Sequence, residues 1–115
     1  MRSDRERLDD ILEAMERIEK YSSKGKEAFW KDELIQTWVV RHLQIIGEAA
    51  SHISKEFRDS QPQIQWKAVI GMRHKVVHDY MNVDEDTVWG TIIQDLPVLI
   101  IELEKILQSK GNLNP

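Results

Sequence analysis

The sequence has no cysteine, which removes disulfide frameworks, thiolate metal sites and cysteine nucleophiles together and fits a reducing cytoplasm most simply. It also has no long hydrophobic run. The longest, LPVLII from Leu96 to Ile101, is far shorter than the roughly 20 residues a bilayer-spanning helix needs, and the amino terminus MRSDRERLDD is densely charged. A soluble intracellular protein is expected. Strand-like alternation and internal repeats are missing too. There is no basic excess: the net charge of −4 argues against a generic polyanion binder.

What is present is 41% hydrophobic residues in a chain of 115, enough to bury one compact core, so a single domain spanning residues 1–115 is expected. Charge is unevenly spread. Residues 1–40 hold eight Lys or Arg against ten acids, residues 41–80 six against four, and residues 81–115 two against six. All four histidines, His42, His52, His74 and His78, fall in the middle segment. A local positive field in an acidic protein suits a site that holds a phosphate at one place, although so small a split also arises by chance.

Ser3 with Glu6 forms a capping box ahead of Leu8, Ile11, Leu12, Met15 and Ile18, which share one helical stripe, so the first helix is expected to reach about Tyr21. SSKGK breaks it at Gly25. A long second helix follows, with Trp30, Leu34, Trp38, Ile45, Ala49 and Ile53 on its apolar side, and FRDSQPQIQ around Pro62 reads as a loop. Trp66, Val69, Ile70, Val76 and Val77 then continue at helical intervals to about Tyr80. Asp84 reads as the N-cap of a fourth helix whose inward residues are Val88, Ile92, Leu96, Leu99, Leu103 and Ile106, bent at Pro97, and residues 108–115 read as a frayed tail. Four amphipathic helices bury their stripes only against one another. An all-α antiparallel bundle is the expected fold.

The stretch RHKVVHDY, Arg73 to Tyr80, carries the chemistry. On an ideal helix Arg73 and His78 point about 140° apart, whereas His74 and His78 differ by about 40° and Arg73 and Tyr80 by about 20°. Two polar stripes result, and a two-fold axis beside this helix would gather Arg73 and His78 of both copies around one cleft. An arginine beside a histidine suits metal-free cleavage of RNA. The ribose 2′-hydroxyl is the internal nucleophile, histidine moves a proton near neutrality, and a planar guanidinium stabilises charge on the phosphorane-like transition state.

Arg73, four residues and His78, with polar His74 after the arginine and Tyr80 two residues past the histidine, resembles the signature of the HEPN domain. More narrowly, IGMRHKVVHDY followed by VDEDTVW and DLPVL, together with IGEAA at Ile46 to Ala50, resembles the HepT-type toxins of bacterial and archaeal toxin–antitoxin pairs. The resemblance implies a helical homodimer whose paired motifs form a metal-independent endoribonuclease site acting on cellular RNA, tRNA or mRNA, with no cofactor. It also implies a partner, a minimal nucleotidyltransferase antitoxin that transfers AMP to the tyrosine at the position of Tyr80. The position after the arginine is often asparagine in such sequences and is His74 here, which leaves the division of labour between His74 and His78 open.

Each residue also has a plainer reading. His78 can be hydrogen-bonded inside the bundle, Arg73 can be an anchor paired with Glu48 or Asp79, and Tyr80 can close a helix end with its hydroxyl in water. Lys75 and Lys67 can steer RNA or be solvated surface charges. The four tryptophans, Trp30, Trp38, Trp66 and Trp89, read as core or dimer contacts before base-stacking platforms. His74 and His78 could ligate a metal with Asp79, Glu48 or His52, but the glutamate that zinc hydrolases place beside the first histidine is Lys75 here, which would repel the ion. Rival functions are a non-catalytic nucleotide- or protein-binding partner of a nucleotidyltransferase, and the antitoxin itself.

Overall fold

The structure, a computed structural model, describes residues 2–75, 77–79, 82–83 and 85–109, and for 75, 77–79, 82–83 and 109 it describes the backbone alone. Helix α1, Asp4–Ser22, starts as its capping box dictates: Ser3 Oγ accepts from the Glu6 N–H at 3.1 Å and Glu6 Oε1 accepts from the Ser3 N–H at 3.0 Å. Of its expected stripe Leu8, Ile11, Met15 and Ile18 are buried and Leu12 is half-buried, with Ala14 buried beside them. Gly25, at φ 100°, adopts a conformation that L side chains rarely tolerate and turns the chain.

The long second helix of the sequence reading is in fact two. Asp32 is extended and accepts from the N–H groups of Leu34 at 2.9 Å and Ile35 at 3.4 Å, so it ends α2, Lys26–Lys31, and caps α3, Glu33–Ser51. The buried residues of α3 include Ile35, Val39, Leu43, Ile46 and Ala50, and of the expected stripe only Ala49 and, just past the helix, Ile53 are buried. Leu34 is 80% exposed and Trp30 41%, while Trp38 and Ile45 are half-buried. Two apolar stripes lie about 100° apart on this helix, and the wheel alone does not choose between them.

Part of the expected loop is also helical. Ser54 Oγ accepts from the Phe57 N–H at 3.1 Å and caps α4, Lys55–Ser60, while its own N–H and O–H donate to the Asp4 carboxylate at 2.8 and 2.7 Å. Trp66 Nε1 donates to Gln61 O at 3.1 Å and fixes the start of α5, Trp66–Lys75, which buries Trp66, Val69 and Met72. Here the third expected helix stops short. Val77–Asp79 is a strand, β1, paired antiparallel with Asn82–Val83, β2. β-branched Val77 gives the reason: such a residue loses rotamer freedom in a helix and suits an extended chain, whereas Val76 lies outside the described residues.

Helix α6, Glu85–Gly90, runs through a π-helical turn, Thr91–Asp95, into α7, Leu96–Ser109. The wide turn lies just before Pro97, where a tight helix would bring the proline ring against the carbonyl four residues back. Val88, Ile92, Leu96, Leu99, Leu103 and Ile106 are buried as expected. Gln108 and Ser109 belong to α7 rather than to a tail, and residues 110–115 lie outside the described residues, as does Asp84. The fold is all-α apart from the short β1–β2 ladder. Helix α3 is central, packed on α1 on one side and α5 on the other.

Candidate active site

Helices α3 and α5 cross at Gly47 with no room for a side chain. A Cβ built there would stand 2.5 Å from the backbone nitrogen of Arg73 and 2.8 Å from both Arg73 Cβ and the Ile70 carbonyl oxygen. The glycine of IGEAA thus lets the backbone of α5 approach and places Arg73 against α3. Beside this crossing opens a cleft of about 510 Å³ lined by Arg7 and Asp10 of α1, Arg41 and Glu48 of α3, His52 at its end, and Arg73 and His74 of α5.

Arg73 Nη1 donates to Glu48 Oε2 at 3.4 Å, and Glu48 Oε1 faces His52 Nε2 at 3.0 Å. The pairing with Glu48 weighed from the sequence is therefore formed, though loosely. The Glu48 carboxyl is held below the usual glutamate range, first by the His52 hydrogen bond and then by Arg73. Apart from that Nη1 contact, the guanidinium makes no hydrogen bond to the described residues, and its Nε is buried without a partner. His74 is exposed at the same cleft.

The other expected residues are placed differently. Lys67 is exposed on the first turn of α5, nearly two turns before Arg73, and does not line the cleft. Lys75 is the last residue of α5, and His78 is at the centre of β1, so the helical angles between Arg73 and His78 do not apply. Tyr80 lies outside the described residues. Among the described residues no three His, Asp or Glu side chains come together to hold a metal ion, and the side chains of His78 and Asp79 are not among those described. No helix among them is long and apolar enough to cross a membrane.

A family model described as HepT-like ribonuclease matches residues 11–106. The chain belongs to the HepT-like ribonuclease family. It is 39% identical over 106 residues to a Thermococcus cleftensis protein named "Probable ribonuclease HepT", covering 91% of this chain and 96% of that one. It is 37% identical over 111 residues to a Caldanaerobacter subterraneus protein named "Putative RNase", covering 96% and 99% of the two chains. A Methanocaldococcus jannaschii protein of the same kind of name is 40% identical over 102 residues, covering 88% and 84%. No solved structure matches. Membership makes this chain one of a family of RNA-cleaving enzymes, and RNA the class of substrate to test against the cleft.

Within this HepT-like cleft the sequence reading missed Arg7, Arg41 and the spacing role of Gly47. One signal was available: Arg41, Glu48 and His52 recur at intervals of seven and four, which places them on one face of α3. Arg7 is separated from them by a whole helix in sequence and is brought in only by the packing of α1 on α3. His42, the remaining histidine, is no site residue. It is buried, its Nδ1–H donates to Trp38 O at 2.7 Å, and its ring lies 4.5 Å from the indole.

Proposed function

We propose that this chain is a metal-independent endoribonuclease acting as the toxin of a toxin–antitoxin pair, its site completed across a two-fold axis by a second copy. The observation that supports this most is Arg73 standing beside His74 in an arginine-lined cleft, with His78 five residues further on and clear of the helix. RNA supplies its own nucleophile. The 2′-oxygen attacks phosphorus as its proton passes to an imidazole, and the bond to the 5′-oxygen breaks as that oxygen takes a proton. His78 is the leading proton-transfer group and His74 assists. Arg73 directs its donors at the phosphate oxygens, where charge grows in the transition state.

Neutralisation is assigned to a minimal nucleotidyltransferase that transfers AMP to Tyr80. The added phosphate and bulk would repel an incoming RNA phosphate. The test is incubation of purified protein with RNA and a chelator, beside His78→Ala and Arg73→Ala. Cleavage by the parent alone is expected, and equal cleavage by all three would remove the assignment.

The Glu48 ion pair favours a second reading, in which Arg73 anchors two helices and the cleft binds a nucleotide or the companion protein without cleaving. Saturable nucleotide binding, with no RNA cleavage and no growth arrest on expression, would select that reading.

A further inference from the structure

Several basic side chains on this surface have acid partners one helical turn away. Arg5 pairs with Asp9, Arg17 with Glu13, Lys31 with Glu27 and Lys55 with Asp59. Arg41 has none available: the residues three and four positions away are Trp38, Gln44, Thr37 and Ile45. Arg7 has Asp4 and Asp10 within reach, but both are engaged elsewhere. Asp4 accepts from Ser54, and Asp10 takes two hydrogen bonds from Arg2, at 3.0 and 2.5 Å. Arg7 and Arg41 thus make no ion pair among the described residues, and both line the Arg73 cleft. The other acid in the cleft, Glu48, is taken by His52 and Arg73. Two guanidinium groups with no acid partner among the described residues therefore share one concavity of a protein whose net charge is −4.

We propose that Arg41 and Arg7 form a second phosphate-holding position, one that grips the RNA backbone beside the scissile linkage rather than at it. This rests on the ribonuclease reading above and deepens it. Arg41 precedes Glu48, the partner of Arg73, by seven residues of α3, about 10 Å of helix, so its reach is to a flanking phosphate. Arginine is suited to the task because its planar donors match phosphate oxygens in pairs. Arg41 and Arg7 are positioning residues here. They hold the strand so that the linkage at Arg73 is presented in register, and they move no proton.

The test compares an RNA oligonucleotide with a dinucleoside monophosphate, which has the scissile phosphate and no other. For Arg41→Ala and Arg7→Ala, the ratio of kcat/KM on the oligonucleotide to that on the dinucleotide should fall about fivefold to tenfold each, through KM. Arg41→Lys should recover part of the loss, and Lys31→Ala, whose side chain is paired with Glu27, should match the parent. Binding of a 2′-deoxy-substituted strand, which cannot be cleaved, should lose about 0.7 from its log–log salt slope per arginine removed. That second measurement reads the phosphate position even if no cleavage is found, so failure of the ribonuclease reading and failure of this one are distinguishable. Unaltered ratio and slope in both alanine variants, with parental helical circular dichroism, would overturn the proposal. So would a fall in kcat at constant KM, which would place the arginines at the reacting atoms.

Discussion

Gly47→Ala tests the link between helix packing and the site, because two opposing effects meet there with known sizes. In an exposed helix the change would stabilise by about 1 kcal/mol, since alanine loses less backbone freedom than glycine. At Gly47 the new methyl would stand 2.5 Å from Arg73 N and 2.8 Å from the Ile70 carbonyl oxygen. These are backbone atoms, so no side-chain rotation relieves the contact and α5 must move away from α3. Overpacking of this kind costs about 1 to 3 kcal/mol, which offsets the helix gain and leaves a net loss of about 1 kcal/mol. For a domain of this size that is a melting temperature lower by about 4 °C or more. The displaced backbone carries Arg73, and an error near 1 Å at a phosphate-stabilising group can cost about 100-fold in rate. Thermal unfolding and RNA cleavage should therefore both fall, with cleavage falling further. Gly71→Ala is the paired control: a Cβ there meets nothing within 4 Å, so that variant should gain stability. A more stable Gly47→Ala with parental cleavage would show that the helix crossing does not position the arginine.

Asp32→Ala removes the side-chain acceptor that caps α3 and should cost about 1 kcal/mol in denaturant unfolding, whereas a continuous α2–α3 helix would leave stability unchanged or raised. Leu103→Ala deletes a side chain with no exposed surface and should cost about 2 to 5 kcal/mol by the same measurement; a cost under about 1 kcal/mol would mean that α7 does not close the core. Because the Glu48 carboxyl is held below its ordinary range, its contribution is present above about pH 4.3 and is lost as pH falls through the lowered value. The melting difference between the parent and Glu48→Gln should thus be present at neutral pH and shrink as the carboxylate is protonated in acid, and a difference that did not change with pH would contradict this origin.

The sequence made the helical class legible because its apolar residues recur at helical spacing nearly throughout, and the capping box and the stripes of α1 and α7 fell where their patterns placed them. It misled where two patterns were nearly equivalent. On α3 both apolar stripes satisfied the wheel, and the packing of α1 and α5 on it decides which residues turn inward, while the Asp32 cap separates it from α2. At the end of α5 the run of apolar intervals through Val76 and Val77 outweighed their β-branching, and Val77 stands in a strand. Arg73 and His74 were legible as neighbours bearing phosphate chemistry. Arg41 carried a signal in its spacing to Glu48 and His52 that went unused, and Arg7 was not legible, because only the packing of α1 on α3 brings it to the cleft.

The proposed sharing of one RNA site between two copies of the chain is tested most directly by complementation. Arg73→Ala and His78→Ala proteins are each purified, then unfolded and refolded together before assay with RNA and a chelator. Neither alone should cleave, and the mixture should recover about a quarter of parental activity, since half the dimers are mixed and each holds one intact arginine–histidine pairing. A mixture no more active than its components would contradict the shared site.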